Sequence, residues 1–104
     1  METEIVDQSK VYTVSQLNQE IRFLLEGQYP VIWLKGEISN FRNYSNARYF
    51  SLKDDKAVIS AVMFRSAFRG MKCTPADGEE VLCLGRISVY EKRGNYQIVV
   101  EEMH

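Results

Sequence analysis

The eight residues RSAFRGMK, at positions 65–72, decide which fold this sequence predicts. Ala, Arg, Met and Lys all favour helix, so the segment is expected to form a short helix. Pro75 and Gly78 follow in a loop that would stop any continuation. The position of this helix among the predicted strands then determines the fold class.

Apolar and polar residues alternate in three segments before this helix and in two after it, and such alternation predicts strands. The five predicted strands are Val31–Phe41, Arg48–Asp54, Ala57–Phe64, Val81–Tyr90 and Tyr96–Glu101. The inward row of the first strand is expected to hold Ile32, Leu34, Gly36 and Ile38. Its solvent-facing row is expected to include Trp33, Lys35 and Phe41.

A longer helix is predicted before the first strand. Thr13 and Gln16 fit a capping box at its start, and Gly27 supplies a stop. Apolar residues recur between them at helical spacing, at Val14, Leu17, Ile21, Leu24 and Leu25. This apolar stripe is expected to cover the open end of a β-structure or to pack on its side.

The order helix, three strands, short helix, two strands predicts a mainly β fold. It indicates a five-stranded OB-fold Greek-key barrel with an N-terminal helix and a short helix between strands 3 and 4. Gly36 and Gly85 would allow the bends that a small barrel needs, and an SH3-like barrel is the main alternative. We expect one domain over residues 11–104 after a flexible N-terminus at 1–10. The sequence ends almost directly after the last predicted strand, which suggests that it is one domain of a longer protein.

Composition excludes several functional classes. The 104 residues contain no long apolar run and no signal peptide, which predicts a cytoplasmic location and no membrane. Cys73 and Cys83 match no common zinc spacing and are expected to be reduced. Only one histidine is present, at the last position, and no carboxylate cluster or Gly-rich phosphate loop occurs. The sequence therefore predicts a binding module without metal or cofactor, not a self-sufficient enzyme.

The net charge of −1 conceals a basic middle third, since residues 35–72 hold eight basic and three acidic side chains. Cations beside exposed aromatic rings are typical of single-stranded nucleic-acid binding, because rings stack on bases and cations neutralise phosphates. In an OB-fold the ligand lies across strands 2 and 3 between two loops, here Phe41–Ala47 and Glu91–Asn95. The candidate binding residues are Trp33, Lys35, Phe41, Arg42, Arg48, Tyr49, Lys53, Phe64, Arg65, Arg86, Lys92 and Arg93.

Five blocks of sequence carry a family resemblance. They are YTVSQLNQEI (12–21), WLKGEISNF (33–41), YFSLKD (49–54), VMFR (62–65) and DGEEVLCLGRISVYEKRGNYQIVVEEM (77–103). Together, over residues 11–104, the chain resembles the N-terminal domain of the exodeoxyribonuclease VII large-subunit family. One departure is clear: family members usually show Ser-Gly-His before the second-strand aromatics, whereas residues 45–48 read Ser-Asn-Ala-Arg, and Arg48 is a candidate replacement cation.

The resemblance implies a bacterial enzyme that hydrolyses single-stranded DNA to oligonucleotides without a required metal. Its OB-fold would bind the DNA, while the nuclease domain and the region that binds the small subunit would lie outside this chain. Two other functions remain open. The aromatic face could dock on a protein or on a second copy of the chain, or the barrel could bind RNA.

Overall fold

The computed structural model describes residues 11–104, and its strands close into a barrel. The elements are α1 (Val14–Gln28), β1 (Ile32–Asn43), β2 (Ala47–Lys53), β3 (Val58–Phe64), α2 (Arg65–Phe68), β4 (Glu80–Tyr90) and β5 (Asn95–Met103). The strand order is β1-β2-β3-β5-β4, and β3 and β5 are the parallel pair. The predicted OB-fold is confirmed, including both helix positions. The expected flexible N-terminus at 1–10 lies outside the described residues.

The core fills the barrel with the inward rows that the alternation predicts. Ile38, Cys83 and Ile98 are fully enclosed, one each from β1, β4 and β5. Ala67, Phe68 and Met71 pack against one end of this core, so α2 covers that end although it has a single turn. Burial raises the pKa of the Cys83 thiol to about 11, which makes it a core side chain of low reactivity.

Phe41 does not face solvent as predicted. A register irregularity lies between Ser39 and Arg42, and Asn40 adopts a left-handed backbone with φ of 52°. The extra residue reverses the alternation, so the Phe41 ring packs against the core and stacks on Phe50 at 6.0 Å between ring centroids. The expectation of an outward Phe41 was wrong because strict alternation cannot anticipate a bulge.

Gly85 lies at a second irregularity, in β4, where a bend was expected. A Cβ at this position would overlap the carbonyl oxygen of Val99 and approach Ile98 Cγ1 to 3.0 Å. The pairing of β4 with β5 therefore leaves no room for a side chain here. Gly36 has a different role, since β1 keeps its register there and a Cβ would lie 3.2 Å from the Cβ of Leu52.

The predicted capping box of α1 is present. Gln16 N–H donates to the Thr13 hydroxyl at 3.1 Å, and Thr13 N–H donates to Gln16 Oε1 at 2.9 Å. The helix then runs one residue past Gly27 and ends at Gln28. Gly27 therefore lies inside the last turn and is not the stop itself.

The helix α1 closes an open edge of the barrel through polar contacts. The pairing of β1 with β4 ends at Gly85, so the next part of β4 has no strand on that side. There the Val89 N–H donates to the Glu26 carboxylate at 3.0 Å, and the Ile87 N–H donates to the Tyr29 carbonyl at 3.1 Å. These bonds satisfy backbone groups that an edge strand would otherwise expose.

Most of the apolar stripe of α1 remains exposed, which corrects the expectation that it packs on the barrel. Of its five residues, Leu25 packs against the core. The exposed residues are Val14, Leu17, Ile21 and Leu24. The reason is the rotation of the helix, whose side facing β4 and the β4–β5 turn carries Asn18, Arg22 and Glu26.

The β2–β3 turn predicts an acid-sensitive contribution to stability. Asp54 Oδ1 accepts hydrogen bonds from the Lys56 N–H at 2.8 Å and the Ala57 N–H at 2.9 Å, and these bonds lower the pKa of the Asp54 carboxyl. The folded-state pKa lies below the unfolded one, so this contribution is present above the unfolded pKa. It is lost as pH falls through the folded pKa.

We therefore expect acidification below about pH 4 to lower the urea midpoint of the original protein more than that of the Asp54→Asn variant. The amide oxygen of asparagine accepts the same hydrogen bonds but does not titrate. Asp55→Asn is the matched control, since among residues 11–104 the backbone N–H groups of this turn donate to Asp54 and none donates to the Asp55 carboxylate. This variant should retain the acid response of the original protein. Identical acid responses in the two variants would contradict the prediction.

Candidate nucleic-acid interface

A line of four side chains crosses the outside of the barrel. Tyr49 pairs with Val62, Val62 pairs with Val99, and Val99 pairs with Arg86, which places one residue on each of β2, β3, β5 and β4. The two valines are buried, whereas Tyr49 is 38% exposed. The line therefore has two enclosed valines at its centre, an aromatic ring at one end and a cation at the other.

The neighbouring line is short and polar. Ser51 pairs with Ser60, Ser60 with Gln97, and Gln97 with Ser88 across the same four strands. These side chains can donate and accept hydrogen bonds without filling the space above the sheet. We call the two lines together the transverse face. Four strands contribute to this face, so an extended polymer that lies along either line would cross all four.

Three exposed rings surround the β2 end of the transverse face. Phe64 on β3 pairs with Ala47 on β2, two residues along each strand from the pair of Tyr49 and Val62. The Phe64 ring is therefore a diagonal neighbour of Tyr49. Tyr44, in the β1–β2 loop, meets Tyr49 edge-on with ring centroids 5.8 Å apart. Tyr44 is 52% exposed and Phe64 is 45% exposed. Rings with this exposure can stack on nucleobases.

Arginines accompany these rings. Arg42 lines a cleft with Tyr44 and Tyr49, and Arg65 begins α2 directly after Phe64. The Arg65 N–H donates to the Asn46 carbonyl at 3.1 Å, which fixes α2 against the β1–β2 loop. Neither side chain forms an ion pair with any residue of 11–104. Both cations are therefore available to phosphates.

The opposite end of the barrel has the reverse charge. Lys35 forms an ion pair with Glu80, with the nitrogen and oxygen 3.2 Å apart, and Lys53 forms an ion pair with Glu37 at 3.7 Å. Asp54 and Asp55 line the same cavity of about 610 Å³, so acids outnumber bases there. The predicted binding residues Lys35 and Lys53 are thus already engaged, in a region that repels phosphate.

The remaining candidates lie at the borders of the transverse face. Trp33 is exposed on the outside of β1, where it pairs with Leu84 of β4 and lies next to the His104 ring, so it is on the strand that borders the transverse face and not under α1. Arg86, at the β4 end of the line that begins with Tyr49, forms an ion pair with Glu101 at 3.7 Å. Lys92 and Arg93 are in the β4–β5 turn, directly before the start of β5. Because β5 runs parallel to β3, this turn is near the start of β3, whereas Phe64 is at its end. That turn is anchored by Asn18, whose Nδ2 donates to the Glu91 carbonyl at 2.9 Å.

Arg48 does not reach the transverse face. Its guanidinium carbon lies 4.0 Å from the centroid of the Phe68 ring, and its Nε donates to Asn43 Oδ1 at 3.2 Å. It lines a separate cavity beneath α2 together with Arg65 and Arg69. Tyr44 and Arg69 were absent from the predicted set. The position of Tyr44 in the β1–β2 loop and the four-residue spacing of Arg69 from Arg65 already indicated both residues in the sequence.

The barrel and this aromatic, cationic surface together define the class of protein. The chain belongs to the OB-fold nucleic acid binding domain family, whose family model matches residues 12–104. Its relatives include the Exodeoxyribonuclease 7 large subunits of Shewanella loihica, 49% identical over 96 residues, and of an Enterobacter species, 48% identical over 94 residues. These matches cover 91% and 89% of the chain, which spans about a fifth of the length of either relative, 22% and 21%.

Solved structures share the fold at low sequence identity. A Replication Protein A heterotrimer bound to ssDNA is 12% identical with a TM-score of 0.58, and the match covers 71% of this chain and 55% of that one. Asparaginyl-tRNA synthetase from Pyrococcus horikoshii is 17% identical with a TM-score of 0.63, over 83% of this chain and 20% of that one. In the part of the chain described by the structure, no helix is long and apolar enough to cross a membrane.

Proposed function

We propose that this domain binds single-stranded DNA across the transverse face and belongs to an exodeoxyribonuclease VII large subunit. The observation that carries the proposal is the group of three exposed rings, Tyr44, Tyr49 and Phe64, beside arginines without acidic partners among residues 11–104. Each ring can stack on one base, and the neighbouring Arg42 and Arg65 can neutralise phosphates. The serines and the glutamine of the face can donate and accept hydrogen bonds with the strand between them.

The rest of the proposal concerns the parent protein. The domain would hold single-stranded DNA and deliver it to a nuclease domain outside these residues, so this segment itself would not be catalytic. The small subunit would bind to other regions of the parent. We also propose a cytoplasmic location. The similarity to Exodeoxyribonuclease 7 large subunits over most of the chain supports these steps.

A titration with labelled oligo(dT) of about twelve nucleotides tests the binding step, with fluorescence anisotropy as the measurement. We expect saturable binding that weakens with salt. If Arg42 and Arg65 each neutralise one phosphate, the slope of log K against log salt should be about −1.4. A duplex of equal length should bind less well, because its bases are not free to stack. Absence of binding at low salt would contradict the proposal, and tighter binding of oligo(U) than of oligo(dT) would favour the RNA alternative.

A second candidate function, pairing of two copies through α1, is favoured by its exposed apolar stripe. Val14, Leu17, Ile21 and Leu24 follow the three-and-four spacing that helix pairs use. We expect concentration-dependent dimers in sedimentation velocity, which Leu17→Glu should abolish while Gln28→Glu should not. A monomer at every concentration would exclude this function, and oligo(dT) binding by the monomer would leave the first proposal unaffected.

A further inference from the structure

Arg48 is a nearly buried cation without an anionic partner. Its relative exposure is 9%, and its contacts are Asn43 Oδ1, the sulfur of Met71 at 3.8 Å and the face of the Phe68 ring. No carboxylate of residues 11–104 lies within ion-pair distance. Buried charges in proteins are normally paired, because desolvation without compensation is costly. A guanidinium also has five N–H donors, of which these neutral contacts use few.

The space that Arg48 faces is a cavity of about 470 Å³ between the β1–β2 loop and α2. Arg65 at the start of α2 and Arg69 directly after its end contribute to the wall of this cavity, and Tyr44 and Ser45 contribute from the loop. None of the lining residues is acidic. Three arginines therefore line one cavity that has no acidic lining residue, which is the arrangement of an anion site.

The cavity adjoins the β2 end of the transverse face, since Tyr44 lines both this cavity and the cleft of Arg42 and Tyr49. A strand stacked on Tyr49 and Phe64 would thus have its backbone next to the three arginines. An internal phosphate carries one negative charge, whereas a terminal phosphate carries nearly two at neutral pH and has more free oxygens for hydrogen bonds. Three cations match the terminal group better.

We infer that this cavity is a binding pocket for a terminal phosphate of single-stranded DNA, with Arg48 at its base and Arg65 and Arg69 at its wall. The inference rests on the proposed DNA-binding function and adds recognition of a strand end to it. Arg48 serves two purposes in this pocket. Its guanidinium packs on the face of the Phe68 ring, while its unused donors would bind the phosphate.

The test compares oligo(dT) with a hydroxyl, a 5′-phosphate or a 3′-phosphate end, by competition against the labelled strand. We expect one phosphorylated end to bind about fivefold more tightly than the hydroxyl form, because charge-assisted hydrogen bonds form only there. Arg69→Ala, a change at an exposed position, should remove most of this increment while the hydroxyl form still binds. Arg48→Met, which keeps a long side chain against Phe68, should do the same.

Lys56→Ala is the matched control, since it removes one positive charge from the distant β2–β3 turn and should leave the increment intact. Thermal unfolding of each variant separates loss of the pocket from loss of the fold. Equal affinity for all three ends, or an increment that persists in both arginine variants, would overturn the inference. Such a result together with normal oligo(dT) binding would leave the proposed function standing.

Discussion

Replacement of Gly85 by alanine is expected to lower the free energy of unfolding by about 3 kcal/mol, a large part of the stability of a small domain. The added methyl group would overlap the Val99 carbonyl oxygen, which is backbone and cannot rotate away. β4 and β5 would have to separate at the point where the barrel depends on their bulged pairing. Urea unfolding followed by circular dichroism measures the effect.

Gly27→Ala is the matched control for this substitution. A Cβ at Gly27 meets nothing within 4 Å, and the residue lies in α1. Alanine is favoured over glycine in a helix by about 1 kcal/mol, so this variant should be slightly more stable than the original protein. A Gly85→Ala variant with an unchanged midpoint would show that the barrel tolerates a wider β4–β5 spacing than the structure allows.

The largest expected effect on binding comes from Tyr49→Ala and Phe64→Ala. Loss of base stacking costs roughly 1–3 kcal/mol per ring, so each variant should bind oligo(dT) at least about fivefold more weakly. Tyr49→Phe keeps the ring and should retain most of the affinity. This comparison separates stacking from the hydrogen bonds of the tyrosine hydroxyl.

Phe23→Ala is the control for nonspecific loss of an aromatic residue. Phe23 is 80% exposed on α1, and no aromatic contact joins it to the rings of the transverse face. Its removal should leave both DNA affinity and thermal stability unchanged. If the Phe23 variant loses as much affinity as the Phe64 variant, the binding surface lies on α1 and the transverse face is excluded.

The sequence was sufficient for the fold because the signals that decide it are local. Alternation placed all five strands to within a few residues, and Thr13 and Gln16 marked the start of α1. The outward direction of Phe41 could not be read in the same way. It depends on the left-handed backbone of Asn40, a residue whose conformation is set by the pairing of β1 with β2.

The candidate site was predicted only in outline, for a related reason. Alternation shows that a side chain points outward, but not which outward side chains share a side of a closed barrel. Lys35 and Tyr49 both point out, yet one lies in an acidic region and the other beside arginines. The burial of Arg48 depends on how α2 folds over the end of β2, and no pattern within one strand encodes that contact.

The bonds from Glu26 and Tyr29 to β4 have a practical consequence for anyone who shortens this chain. A fragment that begins at the first strand would retain every strand of the barrel and lose the acceptors for Ile87 and Val89. Its exposed N–H groups would be open to strands of other molecules, and self-association through this edge would follow. The smallest segment that behaves as an independent unit therefore includes α1.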